Sequence, residues 1–222
     1  MDVLALALAD ARFPGGGHVH SGGLEEAAGR GLITGESDLP AFLLGRLHTA
    51  GALAAVFAGA AAHAARRGAQ ATFWGRLDAE LDARTPSAAQ REASRAQGAG
   101  TLRALRATPA RLPALRRPHH CVVLGVAIGL GGGLPVDAAR TAAYLSVSGP
   151  AAAAVRLLGL DPLAVNATVL DLAGELRAVA EWAAATAALD PAELPAPGAP
   201  GLDLLAESHR RAHDREVRLF AS

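Results

Sequence analysis

Apolar positions along most of this chain recur with the spacing of α-helices. Phe42, Leu43, Leu47 and Leu53 lie near helical spacing in a segment that runs to about Arg67. No stretch of alternating apolar and polar residues is long enough to compete as a strand. The pattern therefore predicts a protein built of helices.

Residues that commonly begin helices precede several of these segments. Ser37–Asp38 lies before Pro40, and Asp161 lies before Pro162; both are typical of an N-cap followed by a proline in the first turn. Thr85–Pro86 is interpreted as an N-cap followed by proline at the first helical position. Pro135 is expected to start another helix after a run of glycines.

The run "CVVLGVAIGL" (121–130) is the one segment whose apolar pattern fits either a strand or a helix. Gly125 and Gly129 lie four residues apart in it. Glycines at that spacing leave one face of a helix without side chains, which favours a buried and closely packed helix.

These elements predict one all-α domain over residues 1–189, a compact bundle of about eight to ten helices. Residues 190–201 are rich in proline and glycine and are interpreted as a linker. Residues 202–222 then form a tethered C-terminal helix and tail. Leu219 and Phe220 must either fold back on the bundle or be taken by a partner, since burial of each contributes roughly 1.5–3 kcal/mol. The linker favours the partner.

Composition narrows the functional classes. The 222 residues carry 21 basic and 21 acidic side chains, and every basic one is arginine. A neutral chain without a basic run lacks the positive surface that binds nucleic acid. The lack of lysine excludes a P-loop or a Schiff base.

The apolar runs fall short of the roughly 20 strongly apolar residues that a bilayer span needs. With one cysteine and no basic n-region at the start, we expect a cytoplasmic protein without nucleic-acid or membrane partners.

The glycine-rich stretch "GGGHVHSGG" (15–23) offers His18 and His20 as candidate metal ligands. Two imidazoles leave most of a coordination shell unfilled, and no further ligand motif completes it. We therefore expect a bend and helix start here, with no metal site and no cofactor.

His119, His120 and Cys121 form a second cluster. Neighbouring residues on a helix point about 100° apart, so three in a row rarely meet at one ion. No nucleophile–base pair stands out elsewhere, so no catalytic residue is predicted. The alternative hypothesis is an all-α enzyme or a small-ligand or metal-binding protein that uses an interhelical pocket near these three residues.

Four segments together resemble a known family. "LADARFPGGGHVHSGGLEEAAGRGLI" is similar to the N-terminal signature of the urease accessory protein UreF family, and "ASRAQGAGTLR" resembles its Ser-x-x-Gln-Gly helix. "AYLSVSGPAAAAVRLLGLDP" resembles its tyrosine-containing helix, and "VRLFAS" its Arg-Leu-Phe-x-Ser end. The residues that match the family motifs are Asp10, Pro14, Gly16, Ser21, Gly23, Leu24, Glu25, Ser94, Gln97, Gly98 and Arg156.

The resemblance implies a non-enzymatic, all-helical scaffold that dimerises. Such proteins bridge UreD (also called UreH) to the GTPase UreG, and the complex delivers nickel to apo-urease. It further implies that the Arg-Leu-Phe end lies on the UreD side, which assigns Arg215, Arg218, Leu219, Phe220 and Ser222 to that interface.

Arg140 and Tyr144 are the expected homodimer contacts. They lie four residues apart and so share one helix face. Tyr144 is the only tyrosine, and tyrosine and arginine often anchor interfaces. The alternative is that Tyr144 is half-buried within its own subunit.

Overall fold

The computed structural model describes residues 3–108, 112–213 and 219–220. Within these ranges all regular structure is helical and no strand occurs. The α-helices are α1 (Val3–Ala9), α2 (Leu24–Gly29), α3 (Leu39–Arg46), α4 (Ala52–Arg66), α5 (Ala71–Ala83), α6 (Ala88–Arg106), α7 (His120–Leu130), α8 (Pro135–Leu158), α9 (Pro162–Asp171), α10 (Ala173–Ala185) and α11 (Pro200–His213). Since α3 and α4 are continuous, the described ranges contain ten separate helices, and the predicted all-α fold is confirmed.

The core of the bundle is the packing of α4 against α7 and α8. A β-carbon on Gly125 would overlap the carbonyl oxygen of Ala58, and one on Gly129 would overlap that of Ala62. Two helical turns of α7 therefore touch the backbone of α4 directly. The interpretation of 121–130 as a closely packed helix is confirmed.

The long helix predicted from Ser37 to about Arg67 is present, with one irregularity. A π-helical turn, Leu47–Gly51, joins α3 to α4. It brings Gly51 so close to α8 that a β-carbon there would overlap the Ser146 hydroxyl. Residues Glu36–Arg66 are long and apolar enough to cross a membrane by length and composition, but half of the most apolar window is buried inside the bundle.

Two predicted helix starts behave differently. Asp161 caps α9, accepting a hydrogen bond from the Leu163 amide at 3.0 Å, as predicted. The prediction of the α6 cap is wrong by two residues. Ser87, and not Thr85, accepts the hydrogen bond from the Gln90 amide, at 3.1 Å. The Thr85 hydroxyl instead donates to the Leu81 carbonyl at 2.9 Å and finishes α5.

The first half of the predicted linker is held against α5. Asp190 caps the 3-10 turn Pro191–Glu193 and pairs with Arg76 at 2.7 Å. Arg84 donates to the Ala192 carbonyl at 2.8 Å. The C-terminal helix then begins at Pro200, inside the segment interpreted as linker.

The close contact of α4 and α7 gives a test of the core. Gly125→Ala should lower the free energy of unfolding by about 1–3 kcal/mol, because the new methyl group overpacks the interface. Gly75→Ala is the control: Gly75 is exposed in α5 with no atom near its β-carbon position, so alanine should stabilise by about 0.5–1 kcal/mol. Urea unfolding followed by circular dichroism measures both. Equal stability of the two variants would contradict the packing described here.

Candidate functional site

The glycine-rich stretch crosses the middle of α6 and leads into α2. Gly15 lies against Gly100, where a β-carbon would come within 2.7 Å of the Gly15 carbonyl oxygen. Gly16 and Gly23 both have positive φ, 79° and 92°, which side chains disfavour. These positions explain the glycines of the motif as requirements of a tight bend, which agrees with the sequence interpretation.

Neither candidate metal histidine belongs to a group of three potential ligands within the described residues. His18 is exposed, and its carbonyl accepts a hydrogen bond from Arg156 at 3.0 Å. His20 is half-buried; burial, and to a smaller extent His18, lowers its pKa. The expectation that this bend holds no metal stays a prediction.

The described ranges contain one group with metal-ligand geometry, formed by Asp78, Asp82 and His119. Arg95 already contacts both carboxylates at 2.7 Å. The His119 ring lies 2.9 Å from Asp82 and 3.0 Å from the Ser94 hydroxyl, so both of its nitrogens are engaged. Although burial opposes it, hydrogen bonds from Arg95 and His119 hold the pKa of Asp82 below its usual value. The group is therefore an ion-pair network that joins α5, α6 and the start of α7.

A cavity of about 210 Å³ lies where the sequence placed an interhelical pocket. His119, His120 and Cys121 contribute to its wall from the first turn of α7. Burial, with a contribution from His20, lowers the pKa of His120 to about 3. Burial raises the pKa of the Cys121 thiol to about 12. At neutral pH both groups are therefore uncharged.

Arg46 lies in the same wall, and no sequence signal pointed to it. Pro150 interrupts α8 and cannot donate to the carbonyl of Ser146, four residues earlier. The Arg46 Nε fills that position, donating to the Ser146 carbonyl at 2.7 Å, while Nη1 donates to the Gly22 carbonyl at 2.6 Å. From the sequence, Pro150 could have indicated that the Ser146 carbonyl needs another hydrogen-bond donor, but not that Arg46 supplies it.

The C-terminal helix covers another side of the cavity and caps α6. The Glu207 carboxylate accepts from the Ser87 hydroxyl at 2.8 Å and from the Ala89 amide at 2.9 Å. Asp203 accepts from the Gln90 side chain at 3.0 Å. The hydrogen bonds from the Ala89 amide and the Ser87 hydroxyl lower the pKa of Glu207 to about 2. Mainly because of burial, the pKa of Asp203 is raised.

The end of the chain folds back and is clasped. Glu25 accepts hydrogen bonds from the amides of Leu219 at 2.9 Å and Phe220 at 3.2 Å. The His209 ring lies 3.2 Å from the Phe220 carbonyl, and the Arg156 guanidinium lies 4.5 Å from the centre of the Phe220 ring. Phe220 is 2% exposed, whereas Leu219 is 64% exposed.

This clasp was missed from sequence. The sequence indicates Glu25 only as a residue of the family motif, because its partners lie 194 and 195 residues away, beyond any local pattern. Of the two outcomes left open for the tail, the structure has Phe220 folded back and Leu219 in solvent. Arg215, Arg218 and Ser222 lie outside the described residues.

The two predicted dimer residues line a surface groove of about 670 Å³. Arg140 and Tyr144 come from α8, Leu6 from α1 and Arg177 from α10. Tyr144 is 38% exposed, so its ring is half-buried within the subunit and still reaches the surface. Both sequence interpretations of this residue remain compatible with that position.

The described residues define an all-α protein with Phe220 packed on the bundle and a cavity between its helices. Residues 33–173 match the UreF family model. The urease accessory protein UreF of Mycobacterium sp. (strain JLS) is 46% identical over 220 residues, covering 98% of this chain and 97% of that protein. The namesake proteins of Mycolicibacterium vanbaalenii and Mycobacterium marinum are 45% and 42% identical, each over 222 residues and at least 97% of both chains. The chain belongs to the UreF family, and the resemblance found in the sequence is confirmed.

The lowered pKa of Glu207 predicts an acid sensitivity of the C-terminal helix. A carboxyl whose pKa falls from 4.5 to about 2 on folding stabilises the fold above about pH 4.5 and loses that effect as the pH drops toward 2. Glu207→Gln should therefore flatten the fall in melting temperature between pH 5 and pH 3 relative to the unaltered protein.

Glu193→Gln is the matched control, since Glu193 is exposed and no partner is described for its side chain. Asp203, whose pKa is raised, is present in all three proteins, so its titration does not contribute to the difference between them. If Glu207→Gln and Glu193→Gln gave the same pH profile, the capping role of Glu207 would be refuted.

Proposed function

We propose that this protein is a non-enzymatic urease accessory protein. It is a scaffold and nickel-chaperone component that bridges UreD (UreH) and the GTPase UreG while the nickel centre of apo-urease is assembled in the cytoplasm. The observation that carries the proposal is the similarity, over 98% of the chain, to a protein named urease accessory protein UreF. The protein acts through its surfaces and needs no cofactor of its own.

The state of the cavity groups supports binding rather than catalysis. The Cys121 thiol keeps its proton at neutral pH because burial raises its pKa to about 12, and a protonated thiol is a poor nucleophile. Both ring nitrogens of His119 are already engaged by Asp82 and Ser94. These groups hold helices together, and none is poised to exchange protons with a substrate.

The C-terminal clasp supports a partner surface on this side of the bundle. Phe220 is buried and Glu25 holds the Leu219 amide, while the side chain of Leu219 stays exposed. We assign Leu219 and Phe220, together with Arg215, Arg218 and Ser222, to the contact with UreD. In this arrangement Phe220 positions the surface and Leu219 supplies an apolar contact.

Co-purification with UreD and UreG tests the proposal and the surface together. UreG should be retained on tagged UreD only when this protein is present. Leu219→Ser should weaken binding to UreD about tenfold or more, since an apolar anchor contributes roughly 1.5–3 kcal/mol. Its melting temperature should not change, because Leu219 is exposed.

Leu204→Ser is the control, because Leu204 is 72% exposed on α11 and lies outside the proposed contact. Retention of UreG on UreD without this protein would contradict bridging. Unaltered binding of Leu219→Ser would place the UreD contact elsewhere.

We further propose a homodimer formed across the groove that contains Arg140 and Tyr144. A two-fold interface brings the same patch of both subunits together, and the residues that line this groove carry both signs of charge, Arg140, Arg177 and Asp10. Tyr144 adds an aromatic side chain, a type that often anchors interfaces.

Replacing Arg140 and Tyr144 together by alanine should convert the dimer to a monomer, as measured by light scattering. Arg103→Ala, an exposed arginine on α6, should leave the mass unchanged. A dimer of unaltered mass and stability in the double variant would remove these residues from the interface.

A further inference from the structure

Positive charge is concentrated in one segment of this neutral chain. Residues 93–136 hold six of the 21 basic side chains and no carboxylate, whereas the whole chain carries basic and acidic side chains in equal number. The segment begins inside α6, includes the proline-rich loop that follows it, and ends at the start of α8. Its arginines are Arg95, Arg103, Arg106, Arg111, Arg116 and Arg117.

Four of these side chains are exposed, and we call them the arginine face: Arg103 and Arg106 on α6, and Arg116 and Arg117 in the loop before α7. The end of the loop lies beside α6, because Arg95 donates a hydrogen bond to the Arg117 carbonyl. Eleven residues are close to three full helical turns, so Arg106 lies on the same side of α6 as Arg95. The arginine face therefore extends along about three turns of α6.

The loop end that carries half of the arginine face is held in a strained conformation. Arg117 has a φ of 47° and is the one non-glycine residue with positive φ among the described residues. Such strain persists only where surrounding contacts hold it, and it is often found at functional sites. Here Arg95 holds the Arg117 carbonyl, and Gly98 leaves room for the carbonyl of Pro118, which a β-carbon there would overlap.

This fixed conformation favours a role for the Arg117 side chain in binding. Glycine adopts positive φ freely, so the backbone gains nothing from an arginine at this position. A side chain displayed from a loop that is already ordered also spares a partner the entropic cost of ordering that loop.

The arginine face suits an acidic protein surface better than a nucleic acid. Residues 93–136 contain no phenylalanine, tryptophan or tyrosine, so nucleic-acid bases would find no aromatic side chain to stack on. The isoelectric point of the whole chain is about 7.1, whereas nucleic-acid-binding domains are generally basic overall. Guanidinium groups pair with carboxylates through two parallel N–H donors.

We propose that the arginine face docks an acidic surface of a partner protein and is the second contact of the bridge, the one made with UreG. The inference rests on the proposed function, which requires two partner surfaces and places UreD at Leu219. The arginine face shares no residue with that contact or with the groove at Arg140 and Tyr144. Exposed charges of one sign steer an oppositely charged partner during encounter, so the face acts mainly on the rate of association.

Binding of UreG to the complex of this protein with tagged UreD, followed on a sensor surface, tests the inference. Replacing Arg103 and Arg106 together by glutamine should slow association about fivefold or more and weaken its dependence on salt. The matched control replaces Arg67, directly after α4, and Arg211, on α11, by glutamine. Both are exposed and lie outside the arginine face, so the control makes the same change in net charge and should bind like the unaltered protein.

Arg117→Gly separates a binding role from a structural one. It relieves the positive φ, so the melting temperature should rise, and it removes a charge, so UreG should associate more slowly. A residue with only a structural role would change the melting temperature and leave association as it was.

Equal association rates of the Arg103/Arg106 double variant and the control would overturn the inference while bridging stands. Binding of a short DNA duplex that the same double variant loses would overturn it too, since the occupant would then be a nucleic acid. If UreG failed to bind the complex of UreD with the unaltered protein, the bridging function itself would fall, and this inference with it.

Discussion

The direct contact between the backbones of α4 and α7 is the constraint on which the rest of the structure depends. Gly125 and Gly129 remove the side chains that would hold the two helices apart, and Ala58 and Ala62 offer little more than a methyl group opposite them. The π-turn before α4 and the first turn of α7 both reach the cavity wall. Fixing the distance between these helices therefore also fixes the distance between Arg46 and His120 across that wall.

Arg46 shows how two local irregularities are used to support each other. The proline in α8 leaves the Ser146 carbonyl without its helical donor, and the π-turn that follows α3 seats Gly51 against Ser146. The guanidinium then joins α3, α8 and the loop before α2 at one point. A single side chain thus donates to the carbonyl that Pro150 leaves without a helical donor and, by the same placement, adds a positive charge to the cavity wall.

The helices and their order could be predicted from the sequence, because apolar spacing and caps such as Asp161 are local signals. The cap of α6 was placed two residues early, since Thr85–Pro86 and Ser87 are competing signals of the same kind. The contacts of Glu25 and Arg46 could not be predicted, because their partners lie far away in sequence and only tertiary packing joins them. The sequence did indicate a cavity near His119, His120 and Cys121. It could not predict their protonation states, because these depend on burial, which three adjacent residues do not determine.

The capping of α6 by Glu207 ties an early helix to a late one. Glu207 lies 120 residues after Ser87, so the carboxylate that completes the first turn of α6 is made only when the chain is nearly finished. Until Glu207 has been synthesised, the Ser87 hydroxyl and the Ala89 amide at the start of α6 lack this acceptor. A ribosome that stops short of Glu207 would release a bundle in which α6 begins frayed, and a protease would find accessible backbone at that end of the helix.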